Sequence, residues 1–135
     1  IGRYGSALER CLRRENFKTL LVDFNPDVVR RLRYRGYEVM YGDIRDQDLV
    51  DHLPLAGIKW VISSIPQHDL KAIFYEDSRL ILINSLKQRD FLGKIAVATQ
   101  HVHEVKELKA KGADLVLLPF QDAAERAVKQ IKDIQ

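Results

Sequence analysis

The sequence predicts an α/β fold, a doubly wound and mostly parallel sheet with helices on both faces. Three observations carry that reading. Strand-like and helix-like periods alternate along the chain, and the helical stretches are bounded by caps, Asn25-Pro26-Asp27 at one start and Gly36 or Gly112 at an end. The chain also opens on Ile1-Gly2-Arg3-Tyr4-Gly5-Ser6, the last five positions of a G-x-G-x-x-G turn and the first residue beyond it. Such alternation implies right-handed crossovers and a single domain over 1–135.

Each element has its own signal. A helix is predicted over 4–15, where Ala7, Leu8, Cys11 and Leu12 share a face at the spacing of a buried stripe. The strand over 18–23 holds Leu20-Leu21-Val22, the continuous apolar run of a strand covered on both faces. Asn25, Pro26 and Asp27 read as N-cap, first helical residue and first-turn acid, opening a helix with Val28, Val29 and Leu32 that stops at Gly36. A strand over 37–41, a Gly42-Asp43 turn and a short helix over 46–53 repeat the unit. The next strand, over 60–65, is closed by Pro66, which cannot donate to a ladder. Residues 67–92 are less regular, with 71–77 as a loop or extra turn, Ser78 as a cap and 79–89 as a helix. A strand over 94–99, a helix over 101–111 ended by Gly112, a strand over 115–118 and a helix from Asp122 complete the series.

Composition narrows the function classes. Hydrophobic residues make up 46% and charged residues 30%, a globular balance, and no apolar run approaches the roughly 20 residues of a membrane helix. The net charge of +3 comes from basic and acidic residues interleaved along the helices, which does not favour nucleic acid as a partner. Cys11 is the single cysteine, so no internal disulfide forms and a reducing compartment is expected, with the thiol buried and inert on its helix face. His101 and His103, two residues apart on a predicted helix, point to different faces, so neither they nor His68 is expected to hold a metal.

Ligands of open parallel sheets bind beyond the carboxyl ends of the strands, and four such ends supply the candidates. Gly2 lets a backbone approach a phosphate, Gly5 lets the helix pack tightly on the sheet, and Arg3 offers a guanidinium to a phosphate oxygen. The plainer alternative is a glycine turn with an exposed arginine. Asp23 stands about 20 residues after the loop, where an acid hydrogen-bonds ribose hydroxyls and repels a 2′-phosphate, or else it caps a turn with Asn25. Asp43, in Gly42-Asp43-Ile44, sets a carboxylate or a backbone amide beside an adenine ring, caps the following helix, or does both. Ser63, Ser64 and Ile65 end their strand across the crevice, leaving room for ribose or phosphate.

Gly2-Arg3-Tyr4-Gly5-Ser6-Ala7-Leu8, Asp23-Phe24-Asn25-Pro26, Tyr41-Gly42-Asp43 and Gly112-Ala113-Asp114 with Pro119, in that order, resemble the RCK N-terminal domain, also called TrkA-N or KTN. The nearest version is the one attached to bacterial cation:proton antiporters and potassium efflux systems. The resemblance covers nearly the whole chain apart from 71–77, and implies a Rossmann-like fold that binds NAD(H) or an adenine nucleotide (AMP, ADP or ATP). It further implies regulation rather than turnover, a homodimer, and a place on the cytoplasmic face of the membrane beside a transporter or channel. By position, Gly2, Arg3, Tyr4 and Gly5 would wrap the phosphates, Asp23 the ribose, and Asp43 and Ile44 the adenine, with Phe24, Asn25 and Gly42 among the binding positions. Ser63, Ser64, Ile65 and Pro66 would face the remaining half of the ligand.

Two other classes stay open: an NAD-dependent oxidoreductase fragment, and a dimerisation module with a degenerate nucleotide site. The first glycine of the loop and the strand before it are absent from the sequence. In the strand order 3-2-1-4-5-6 that strand is central, so an apolar strand ending in glycine is expected upstream, and without it the flanking strands face a gap.

Overall fold

The computed structural model of the chain describes residues 1–65 and 77–135. Pro66, His68 and the loop expected over 71–77, apart from Asp77, lie outside the described residues.

The opening turn is completed by Gly2 alone, whose φ of 66° glycine adopts without strain. Helix α1 therefore spans Gly2–Arg14 and begins two residues before the predicted start. Strand β1, Leu21–Asp23, pairs in parallel with β2, Val39–Tyr41, placing Leu21 opposite Val39 and Asp23 opposite Tyr41. Between them runs α2, Pro26–Tyr34, whose first turn is capped by the Asn25 side chain accepting from the Asp27 amide at 2.9 Å.

The helix expected over 46–53 is a run of turns ending in a 3-10 turn, Leu49–His52. Its aspartates explain why. The Asp46 carboxylate accepts from the Asp48 amide at 2.9 Å, so side chains capture backbone donors that a helix would use.

A second parallel sheet contains β3, Trp60–Ser63, β4, Lys94–Ala98, and β5, Leu115–Leu117, in that order. Helix α3, Ser78–Gln88, precedes β4 and is capped by Asp77 rather than Ser78, through an Arg79 amide bond of 3.0 Å. The helix expected over 101–111 is divided into a 3-10 turn, Val102–Glu104, and α4, Val105–Lys111. Helix α5, Pro119–Ile134, starts three residues before Asp122 because Pro119 itself takes the first turn, where its missing N–H costs nothing.

Among the described residues no ladder joins β1 to β3. Ile1 lies between their ends, its amino group on the Asp23 carboxylate and its carbonyl accepting from the Ser64 hydroxyl at 3.2 Å. The larger apolar core gathers Leu82, Ile83 and Leu86 of α3 against Ile95 and Val97 of β4 and Leu108 of α4. Each such fully buried side chain contributes about 1.5–3 kcal/mol. A smaller cluster, Leu21, Val29 and Val39, holds α2 on the first sheet.

On α1 the buried positions are Gly5 and Glu9, and Cys11 is exposed, contrary to the apolar-stripe reading. The close approach of Gly5 to Ser64 fixes which side of α1 faces inward, and Cys11 falls outside it. Glu9 is buried at no loss because Arg13 and Thr19 both donate to it, Arg13 Nε at 2.9 Å.

A candidate nucleotide cleft at the first helix

Helix α1 begins without a side-chain cap and without an acidic residue in its first turn. Its free amide groups and the positive end of its dipole are therefore open to an anion. The two glycines of the turn are required for different reasons. A Cβ on Gly2 would meet nothing within 4 Å, so the constraint there is the left-handed backbone, and the space before it is open to a ligand. A Cβ on Gly5 would lie 2.5 Å from Ser64 Oγ and 2.8 Å from Ile1 Cγ1, so that glycine permits close packing. Gly42 acts as Gly5 does, since a Cβ there would lie 2.5 Å from Leu49 Cδ1 and 2.9 Å from Val22 Cγ1.

A cleft of about 470 Å³ opens at this turn. Its upper wall is Ile1, Gly2, Arg3 and Ser6 at the start of α1, with Asp23 from the end of β1. Deeper along the helices it is lined by Arg10 of α1 and by Val28 and Arg31 of α2, residues the motif reading passed over. The signal was present in the sequence as Arg3 and Arg10, seven residues or two helical turns apart on one face.

Asp23 is 8% exposed and accepts from Ile1 N and, at 2.8 Å, from the Asn25 amide. Burial pushes its carboxyl upward, while the Asn25 amide favours the charged form. Asp23 thus both joins the cleft and closes the turn with Asn25. Tyr4 is turned elsewhere. Burial and the charge of Asp122 at the start of α5 raise its hydroxyl above the ordinary tyrosine value, and it does not line the cleft.

Asp43 is bound to Arg45 twice through the side chain, at 3.1 Å to Nε and 2.8 Å to the terminal nitrogen, and once through the Arg45 amide at 2.9 Å. Those bonds, against a smaller effect of burial, hold its carboxyl below the ordinary range. Arg45 also lies over the Phe24 ring, 5.8 Å from its centroid, and Phe24 is half exposed. The ends of β1 and β2 therefore offer an aromatic face and a guanidinium plane beside Ile44, while the Asp43 carboxylate is engaged. Ser64 contacts Ile1, Ile65 is exposed, and the buried Ser63 hydroxyl has no hydrogen-bond partner among the described residues. Pro66 lies outside them.

Beyond β4 is a second polar centre that the motif reading did not identify. Arg79, 1% exposed, donates to Asp77, to Glu104 at 3.0 Å and to the Ala98 carbonyl at 3.3 Å. Burial opposes its charge, but the two carboxylates outweigh burial and hold its proton more firmly than usual. Thr99 donates to Glu104 and receives the His101 amide at 3.1 Å. His101 and His103 face each other with ring centroids 5.2 Å apart, because His101 is extended and precedes the turn, so helical spacing does not separate them. Among the described residues no cluster of three or more metal-ligating side chains occurs, and no helix is long and apolar enough to cross a membrane.

Residues 1–119 match the family described as the TrkA-N domain. The chain is 35% identical over 72 residues to the glutathione-regulated potassium-efflux system protein KefC of Escherichia fergusonii, a match over 52% of this chain and 12% of that protein. It thus spans a small part of the length of the curated relatives it matches. The TrkA-N domain of the inner membrane protein ybaL from Escherichia coli superposes with a TM-score of 0.74 at 21% identity, covering 96% of this chain and 90% of that one. The GsuK channel bound to NAD superposes with a TM-score of 0.67 at 20% identity, covering 87% of this chain and 20% of that one. A GsuK structure bound to ADP gives the same TM-score and identity, covering 87% of this chain and 29% of its own. At these identities the superpositions establish the Rossmann-like fold.

Proposed function

Because the chain belongs to the TrkA-N domain family, we propose that it is a regulatory domain that binds NAD(H) or an adenine nucleotide and sets the activity of an attached potassium transporter, antiporter or channel. The observation that carries this reading is the uncapped start of α1, opening at Gly2 onto a cleft that also holds Asp23. In this reading the α1 amides and Arg3 take the phosphates and Asp23 the ribose. Phe24, Ile44 and the Gly42-Asp43 backbone meet the adenine, and Ser63, Ser64 and Ile65 meet the far half of the ligand. Asn25 supports Asp23 through its amide, and Tyr4 supports α1 from behind.

The domain works by differential affinity: a ligand that prefers one arrangement of the attached assembly shifts its population toward that arrangement, without chemistry on the ligand. The assembly is a homodimer on the cytoplasmic side of the membrane, joined through α5, where Phe120, Val128 and Ile131 are exposed. NAD and ADP are supported as candidates by the GsuK complexes. Isothermal calorimetry with NAD, NADH, AMP, ADP and ATP tests the reading. Binding of at least one, without nicotinamide turnover on alcohols or ketones, supports it, and no binding by any leaves only a dimerisation scaffold.

A further inference from the structure

The cleft is strongly basic, lined by Arg3, Arg10 and Arg31. Arg3 and Arg10 lie on one face of α1, about 10 Å apart along its axis at the usual rise per residue, and Arg31 faces them from α2. Among the described residues no ion pair or side-chain hydrogen bond is made by any of the three. The arginines around them do: Arg13 is held by Glu9, Arg30 by Asp27, Arg33 by the Val39 carbonyl and Arg45 by Asp43. Three unpaired guanidinium groups are thus gathered on one lining. Among the described residues the only carboxylate on the lining is Asp23, which accepts from the Asn25 amide. Three guanidinium groups gathered around one engaged carboxylate repel one another unless an anion enters.

Resting on the nucleotide reading above, we propose that Arg10 and Arg31 form a subsite for an additional phosphate group on the bound nucleotide. Gly2, the α1 amides and Arg3 hold the first phosphates, and the added one lies between α1 and α2, where two guanidinium groups from facing helices converge on it. Two sources share this chemistry: a 2′-phosphate on the ribose, as in NADP(H), and a longer phosphate chain, as in ATP. The excess of guanidinium groups offsets the repulsion that Asp23 alone exerts on a 2′-phosphate.

The test is calorimetric, on the full-length protein, comparing NADPH with NADH and ATP with AMP, in the wild type and in an Arg10→Gln/Arg31→Gln double variant. Both arginines are exposed, so the variant keeps the fold, which its circular dichroism and melting midpoint verify. The expected result is that at least one phosphate-richer ligand, NADPH or ATP, binds roughly tenfold or more tightly than its counterpart, NADH or AMP. The double variant should lose that margin while its affinity for NADH and AMP stays within about twofold. A margin only with NADPH assigns the ribose phosphate, and one only with ATP assigns the phosphate chain. Equal affinities in the wild type, or a margin that survives in the double variant, overturn the subsite but leave the nucleotide reading standing if NADH or AMP binds. Binding by none of the four overturns both.

Discussion

Gly5 and Ser64 are packed so closely that a methyl group on the glycine would lie 2.5 Å from the serine hydroxyl oxygen. Helix α1 and the end of β3 approach each other at that point, and the mouth of the cleft is built on the contact. Gly5→Ala is therefore expected to destabilise the fold by about 1–3 kcal/mol, as overpacking does. Urea denaturation measures this. Adding Ser64→Gly should recover part of the loss, with the remainder set by Ile1 Cγ1 at 2.8 Å.

In the proposed reading Asp23 meets the ribose with a carboxylate that also accepts from the Asn25 amide. Asp23→Asn preserves the side-chain shape and should weaken NADH or AMP binding by about 1–3 kcal/mol, the worth of a charge-assisted hydrogen bond. An affinity unchanged by calorimetry would place the ribose elsewhere.

Arg79 joins the start of α3, the end of β4 and the turn before α4 through Asp77, the Ala98 carbonyl and Glu104. Arg79→Leu removes the cation and leaves two carboxylates facing an apolar side chain, at an expected cost of about 3–5 kcal/mol. Pairing it with Glu104→Gln should lessen the loss. If the double variant is as unstable as the sum of the single ones, the cluster is not a coupled unit.

Glu104 supplies the pH dependence. Burial tends to raise its carboxyl, but Arg79 and Thr99 hold it below the ordinary glutamate value of 4.5. The unfolded chain therefore takes up this proton at a higher pH than the folded one. The stability Glu104 contributes is fully present above about pH 4.5 and is lost as pH falls through the lower folded value. Glu104→Gln should flatten the acid limb of a stability-against-pH curve measured by thermal melting. An acid limb identical to the wild type would assign the transition to other carboxylates, Asp43 first among them because Arg45 depresses it similarly.

The apolar face of α5 gives a prediction about assembly. Val128 and Ile131 are more than half exposed, three residues apart on one face. If a second copy covers them, Val128→Asp/Ile131→Asp should convert a dimer into a monomer in light scattering behind size exclusion, with nucleotide affinity of the single chain retained. A wild type that is monomeric at micromolar concentration would remove α5 as the dimer contact.

The sequence carried the fold where local chemistry and long-range packing agree. Asn25-Pro26-Asp27 caps α2 because all three residues favour that turn on their own, and the period-two and period-3.6 stretches found strands and helices in their order. Boundaries were lost where tertiary contacts decide. The inward side of α1 is set by Ser64, far away in sequence, so the apolar stripe placed Cys11 inside when Gly5 and Glu9 are the buried positions. At the cleft, Gly2 and Asp23 were legible because they obey a spacing rule. Arg31 was not, since only the packing of α2 beside α1 brings it to the same wall. The Arg79 cluster was hidden for the same reason: Asp77, Arg79 and Glu104 meet through the fold and share no motif.

The exposure of Cys11 gives the protein a built-in reporter. It is the sole thiol in the sequence, it stands on the surface of α1, and it is the next residue after Arg10 of the cleft wall. A maleimide dye or spin label attaches there in the 1–135 chain without any engineered substitution. Occupancy between α1 and α2 then becomes readable in real time as a change in emission or probe mobility, and equally as slower alkylation of the unlabelled thiol.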